Sequence, residues 1–243
     1  ESIDPAFANI NCGITENGIT VRDIDGDGRS ELLFPPRVFN FDVAELYIME
    51  ITAGTFAGGD ANVQMEYIYT DMTYALPGDG YVPTSLDIGD VDNDTFQEII
   101  VAGWNNIGSG MGVGFIQING PNSYTPGSIV PLSNFSGWVV KSKPIFTTVN
   151  GNPVIYLHGS NTGGIKQMWI MEGIISDQFV TTANIYPLFS GLGWWSSWAL
   201  GDQDHPTNDP GDGLDLYLYS GGGRFVDIEY DGVGAITDSN SYS

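Results

Sequence analysis

The chain has 243 residues, 42% of them apolar, which suits one domain or two small ones and leaves enough material for a sizeable core. Thirty acidic residues against seven basic ones give a formal charge of −23. A surface that acidic repels nucleic-acid phosphates and anionic lipid headgroups, which excludes both as main partners. No apolar run approaches the ~18 residues of a membrane-spanning helix, so no membrane insertion is expected. The segment Glu1-Ser2-Ile3-Asp4 has no basic stretch followed by an apolar one, so a secreted protein would begin here in processed form.

In chain order the predicted elements are short strands. Phe7–Ile14 is apolar enough to be the first. Glu45–Ile51, Gln64–Tyr69, Glu98–Ala102, Gly114–Ile118, Val154–Leu157, Gln167–Met171, Asp215–Tyr219 and Arg224–Tyr230 follow. Each is rich in β-branched and aromatic residues and ends at Gly, Pro, Asn or Asp. Several alternate apolar with polar, as in Phe225-Val226-Asp227-Ile228-Glu229-Tyr230. No segment keeps a 3.6-residue apolar period over the ~10–12 residues a helix needs. The expected fold class is all-β.

The chain also repeats itself. Val21-Arg22-Asp23-Ile24-Asp25-Gly26-Asp27-Gly28-Arg29-Ser30-Glu31 runs into the apolar Leu32-Leu33-Phe34. Ile88-Gly89-Asp90-Val91-Asp92-Asn93-Asp94-Thr95-Phe96-Gln97-Glu98 runs into Ile99-Ile100-Val101. In both, carboxylates occupy loop positions 1, 3, 5 and 9. A third copy begins Gly201-Asp202-Gln203-Asp204, is interrupted from His205 to about Gly211, and resumes with Asp212-Gly213-Leu214-Asp215. A fourth unit keeps strand, turn and strand around Asn150-Gly151, a strong hairpin signal, but has no acids. The strands after these loops begin near Leu32, Ile99, Val154 and Leu216, at spacings of 67, 55 and 62. Units of about 60 residues with room for four strands describe propeller blades. A four-bladed β-propeller is therefore expected over 18–243, with blades at about 18–75, 82–135, 139–188 and 192–240. Residues 1–17 form an arm that either completes the last blade or adds to the exposed sheet edge of a neighbouring molecule.

A nine-residue loop with acids at alternate positions can turn its side chains toward one centre. Hard oxygen donors in that number suit calcium. The loop opens like an EF-hand, yet its closing acid is at position 9 rather than 12 and strands flank it. Position 7, Arg29 or Phe96, would offer its backbone carbonyl, and Gly28 permits the positive φ of so sharp a loop. One Asp-Gly-rich loop could be a solvated turn. Two with the same acid spacing and a partial third are harder to explain that way, and a cation removes the repulsion among their carboxylates. In the third loop Asp202, Asp204 and Asp215 are candidate ligands, with Asp209 and Asp212 competing for the remaining place.

These loops resemble the FG-GAP/VCBS repeats of integrin α-subunit propellers and of many secreted bacterial proteins. The resemblance implies calcium held on hairpins between blade strands, with Asp23, Asp25, Asp27 and Glu31, and Asp90, Asp92, Asp94 and Glu98, as ligands. The Phe-Gly and Gly-Ala-Pro signatures of the family are replaced here by Leu33-Phe34-Pro35-Pro36, Val101-Ala102-Gly103 and Tyr219-Ser220-Gly221. The integrin ring has seven blades and this chain has material for four, so integrin partners are not carried over. Two to three calcium ions are expected. Extracellular sites of this kind bind at ~10⁻⁴–10⁻³ M, which points to secretion or surface display.

The remaining reactive residues are few. Cys12 is the one cysteine and reads either as a small buried hydrophobe or as half of an intermolecular disulfide. His158 ends an apolar strand, and His205 lies in the acidic insertion with no partner nucleophile. No hydrolase, zinc-protease or phosphate-loop pattern is present, and the repeat assigns most clustered acids to metal. Trp194, Trp195 and Trp198 lie within five residues and either fill the space between blades or stack on sugar rings, with Trp104 a weaker candidate. Asn93-Asp94-Thr95 and Asn134-Phe135-Ser136 match the N-glycosylation pattern, the first within a metal loop. The expected function is a non-catalytic extracellular structural or adhesive module, a subunit of a filament, with protein partners. A carbohydrate-binding module, or the non-catalytic part of a polysaccharide-degrading enzyme, is the alternative, with a glycan as partner.

Overall fold

A computed structural model describes residues 12–14, 19–34, 36–38, 46–52, 63–69, 81–105, 111–127, 130–131, 138–140, 143–161, 166–172, 184–190, 197–201, 215–220, 224–232 and 235–242. These residues hold strands and turns and no helix. The chain is all-β, as the absence of a helical period in the sequence implies.

The first six strands are β1 (Cys12–Ile14), β2 (Thr20–Arg22), β3 (Glu31–Phe34), β4 (Pro36–Val38), β5 (Leu46–Ile51) and β6 (Val63–Tyr69). Of these, β2-β3-β5-β6 form one sheet and β1 pairs with β4. The second sheet runs β10-β9-β8-β7 from β7 (Tyr81–Gly89), β8 (Gln97–Asn105), β9 (Met111–Gly120) and β10 (Ser123–Pro126), and β11 (Val130–Pro131) also pairs with β9. The third contains β12 (Trp138–Val140), β13 (Ile145–Val149), β14 (Asn152–Asn161), β15 (Lys166–Glu172) and β16 (Asn184–Ser190). In it, β12 and β13 pair with opposite ends of β14. The fourth is β17 (Ser197–Gly201), β18 (Asp215–Ser220), β19 (Arg224–Gly232) and β20 (Ala235–Tyr242). Every described pairing is antiparallel, and the four larger sheets are built from successive stretches of chain.

Side-chain alternation stacks the sheets in sequence order. From β8, Ile99 and Val101 pack with Ile24, Leu33, Leu46 and Ile48 of the first sheet and its loop. Their neighbours Ile100 and Ala102 point the other way, onto Ile155, Leu157, Trp169 and Met171 of the third sheet. The same split occurs on β14, where Val154 and Tyr156 meet Leu216, Leu218 and Ile228 of the fourth. This is why β8 and β14 read as unbroken apolar runs: both faces of their sheets are covered. At ~1.5–3 kcal/mol for each fully buried aliphatic side chain, these seams dominate the stability of the fold.

The seam between the second and third sheets is also bound by polar groups. The Asp87 carboxylate accepts hydrogen bonds from the Phe146 amide (2.8 Å) and from Lys143 Nζ (2.7 Å). The Phe146 ring lies over Gly89 at the end of β7.

Two stretches depart from expectation. In the sequence of the last unit only Val233–Thr237 is apolar enough for an outer strand, yet β20 extends to Tyr242 and pairs with β19 along its length. Its Thr-Asp-Ser-Asn-Ser run has weak strand propensity, and pairing with β19 overrides it. Residues 12–14 of the N-terminal arm pair with 36–38, an arrangement that neither alternative for the arm included.

Candidate metal centres

The two acidic loops sit at equivalent places, between β2 and β3 and between β7 and β8, and they close by similar hydrogen bonds, differing in one donor to the first Asp. In the first, Asp23 accepts from the amides of Gly26 (2.8 Å) and Gly28 (3.0 Å). In the second, Asp90 accepts from Asp94 (3.1 Å) and Thr95 (3.1 Å). The position-5 carboxylate caps the position-7 amide in both: Asp27 takes Arg29 N–H and Asp94 takes Phe96 N–H, each at 2.8 Å. Carboxylate oxygens of Asp23, Asp25 and Asp27 lie within 4.8 Å of one another, and those of Asp90, Asp92 and Asp94 do the same.

The fourth acid is the informative one. Glu31 and Glu98 are both 0% exposed. One oxygen of each accepts the position-2 amide, from Ile24 at 2.7 Å and Val91 at 2.8 Å. The other oxygen, Oε1, is buried without a hydrogen-bond partner in both residues. An unsatisfied buried acceptor costs ~1–3 kcal/mol, and more if charged. Burial pushes the Glu31 carboxyl up to about 7, with Asp25, Asp23 and Asp27 adding repulsion against the opposing Ile24 hydrogen bond. Burial likewise pushes Glu98 up to about 8, reinforced by Asp92, Asp94 and Asp90. The Asp triplet of each loop could hold a metal ion; Glu31 and Glu98 are not among the carboxylates gathered within 4.8 Å and meet the triplets only through the repulsion between their charges.

These shifts set a pH dependence. With pKa values raised above the ordinary 4.5, the folded metal-free protein binds more protons than the unfolded chain between about pH 4.5 and 8. Its stability therefore falls as pH rises through that window. Urea unfolding in chelator at pH 5 and at pH 8 should give the higher midpoint at pH 5. A midpoint that is flat or rises with pH would contradict it.

Backbone strain distinguishes the two loops. Positions 4 and 6 are left-handed in both: Gly26 (φ 79°) and Gly28 (φ 89°) in the first, Asn93 (φ 62°) and Thr95 (φ 80°) in the second. Asn tolerates this region, whereas a β-branched residue there is strained by ~1–2 kcal/mol. Thr95→Gly should raise stability by about 1 kcal/mol in urea unfolding, part of the relief being lost to glycine's unfolded-state entropy. A loss of stability would show that the threonine side chain contributes more than the strain costs.

Other site residues are placed as follows. The Arg29 side chain forms an ion pair with the buried Glu50. The Phe96 side chain is exposed. Asp202, Asp204, Asp209, Asp212 and His205 lie outside the described residues, and Asp215 begins β18 with its backbone opposite Gly201. Trp194, Trp195 and Asn134 also lie outside them. Position 198 stands opposite Leu218, while Trp104 pairs with Val82 and Met111 along the backbone. His158 is buried. Three residues missed in the sequence touch the loops or their charges: Asn122 donates its amide to Asp25 (2.7 Å), Gln117 donates to Asp94 (2.9 Å), and Glu50 holds Arg29. Sheet register is the signal for the last two, since Gln117 lies opposite Glu98 and Glu50 opposite Glu31.

No family model matches the chain, and no curated protein does. Among solved structures, the chain is similar to a thermostable family-43 glycoside hydrolase, with a TM-score of 0.52 and 10% identity over 95% of this chain and 72% of that one. It is also similar to the GH43_1 enzyme from Xanthomonas citri, with a TM-score of 0.44 and 10% identity over 95% of this chain and 76% of that one. The former likeness shows a fold of the β-propeller kind. It corrects the expectation of a structural or adhesive module that is not an enzyme, because the solved structure sharing the fold is a hydrolase. The missing hydrolase motif is no argument against catalysis, for a physical reason. Glycoside hydrolysis needs two carboxyl groups ~5–9.5 Å apart, and separate strands can supply them without any local sequence pattern.

Proposed function

We propose that this chain is an extracellular, four-bladed, calcium-binding β-propeller that recognises carbohydrate. The calcium assignment is carried by the Asp triplets that converge at the same place in two loops, with the lone buried oxygens of Glu31 and Glu98 behind them as further support. Oxygen-only donors favour calcium over the softer transition metals. The FG-GAP/VCBS-like spacing of the acids is consistent with that choice, and weak sites of ~10⁻⁴–10⁻³ M fill outside a cell but not in cytosol. The third loop adds a third ion through Asp202, Asp204, Asp215 and one of its competing acids. The four sheets stacked in sequence order support four blades.

Carbohydrate as partner rests on the fold shared with a glycoside hydrolase and on the Trp194-Trp195-Ser196-Ser197-Trp198 run. Indole faces stack on the apolar faces of pyranose rings, and the acidic surface offers acceptors to sugar hydroxyls. The test is tryptophan fluorescence titrated with neutral and acidic polysaccharides in millimolar calcium, alongside an assay for released reducing ends. At least one polysaccharide should shift the fluorescence, with affinity about tenfold lower in Trp194→Ala or Trp195→Ala, a loss of ~1.4 kcal/mol. Released reducing ends would add hydrolysis to recognition. Neither binding nor release across the panel would overturn the proposal.

A further inference from the structure

The first acidic loop is completed by a group from the next sheet. Asp25 is 9% exposed and uses both carboxylate oxygens. Oδ1 accepts the Asp27 amide of its own loop at 3.2 Å, while Oδ2 accepts the Asn122 amide, 97 residues further along the chain, at 2.7 Å. Asn122 lies in the turn between β9 and β10, at the outer end of the second sheet. The turn Gly120-Pro121-Asn122-Ser123 has Pro second and a left-handed Asn (φ 55°) third, the residue pattern of a type II turn. The turn's own hydrogen bond uses the amide of its fourth residue, which leaves the third amide free to point outward.

Two further contacts hold the first and second sheets together here. Arg22, just before the loop, donates to Gln97 at the start of β8 (2.9 Å). Ile24, at loop position 2, is buried with Leu86, Ile88, Ile116 and Ile118, and Tyr124 from the same turn region packs on that cluster. Resting on the cation reading of the loop, we infer that Asn122 is a positioning residue for the first metal centre. Its amide holds the Asp25 carboxylate in place, so cation binding in the loop is coupled to the seam between the first and second sheets. The coupling is reciprocal: whatever loosens the turn weakens the cation, and whatever removes the cation loosens the turn.

The experiment is a calcium titration of the intact protein followed by NMR at two amides. Gly28 N–H bonds Asp23 in the first loop, and Thr95 N–H bonds Asp90 in the second, so each reports on one loop. Asn122→Ile places a β-branched residue at φ 55° and displaces the turn, whereas Asn122→Gly keeps both the amide and the angle. Asn122→Ile should weaken calcium about tenfold at Gly28 and leave Thr95 unchanged, and Asn122→Gly should leave both unchanged. In the unsubstituted protein, calcium should slow hydrogen exchange at the Asn122 amide. Unaltered calcium affinity at Gly28 in Asn122→Ile, or equal weakening at both loops, would overturn the inference while leaving the cation reading intact. If Asn122→Ile does not fold, an Asn122 amide indifferent to calcium while Gly28 responds overturns it equally. Absence of any response at either loop in the unsubstituted protein would overturn the cation reading and this inference together.

Discussion

Chelating calcium should lower the unfolding temperature of this protein by about 6–11 °C. At ten times Kd, one site stabilises the folded state by ~1.4 kcal/mol, so the first two loops together supply ~2.8 kcal/mol. For a chain of this size, each kcal/mol moves the midpoint by ~2–4 °C. With sites of ~10⁻⁴–10⁻³ M, the measurement is calorimetry or circular dichroism in about 10 mM calcium against excess chelator. Glu98→Gln makes the prediction directional. It removes a carboxylate charge counted among the proposed calcium ligands of the second loop, so about half of the calcium increment should disappear. In chelator the same variant should be at least as stable as the unsubstituted protein above pH 7. Its amide replaces a carboxylate that is buried with one oxygen unpartnered and pushed up to about 8. Equal unfolding temperatures with and without calcium would remove the metal reading. A Glu98→Gln protein that is less stable in chelator would show that the carboxylate's hydrogen bond from the Val91 amide outweighs the cost of burying it.

Gly89→Ala should cost about 3 kcal/mol, the upper end of the usual range for overpacking a filled site. A Cβ at this position would lie 2.0 Å from Cδ1 of Phe146, and two further atoms of the ring lie within 2.4 Å. The ring cannot swing clear cheaply. Phe146 packs against the cluster formed by Val91, Ile100, Phe115 and Leu157, and its amide is held by Asp87 across the seam. Relief by backbone movement would separate β7 from β13 and disturb the loop that begins at Asp90. Urea unfolding of the alanine variant is the check, with Phe146→Leu and the double variant completing a cycle. The double variant should be less destabilised than the sum of the singles, because the smaller side chain vacates the space the methyl needs. A cost below 0.5 kcal/mol for Gly89→Ala would mean that the ring and the glycine do not share this space. Gly26 and Gly28 form the contrast: nothing lies within 4 Å of a Cβ there, and what disfavours other residues is φ.

Much of this was legible in the sequence because it is local. The apolar runs Ile99-Ile100-Val101-Ala102 and Val154-Ile155-Tyr156-Leu157 mark strands covered on both faces, and the structure places them in the middle sheets. Asn150-Gly151 marks a hairpin because both central residues must have positive φ, and they take 51° and 77°. Acids at positions 1, 3 and 5 converge because a tight loop turns alternate side chains to one side, and the Asp triplets of both loops do so; the position-9 acids, Glu31 and Glu98, are not among the gathered carboxylates.

Contacts between sheets follow a different rule, since no residue spacing encodes which turn meets which loop. Asn122 reaches Asp25 across 97 residues only because side-chain packing seats the second sheet against the first. Gln117 and Glu50 become neighbours of the loops through strand register, which is settled by pairing along the whole strand. The polar strand β20 forms because β19 offers it an edge, against its own propensity. The sequence by itself thus determined the all-β class and the convergence of the Asp triplets, which are governed by neighbours a few residues apart. Only the tertiary structure decided that Glu31 and Glu98 each bury one oxygen with no hydrogen-bond partner, and that the assembled fold is one that a glycoside hydrolase also adopts. Burial and long-range packing are properties of the whole chain at once, and no local stretch carries them.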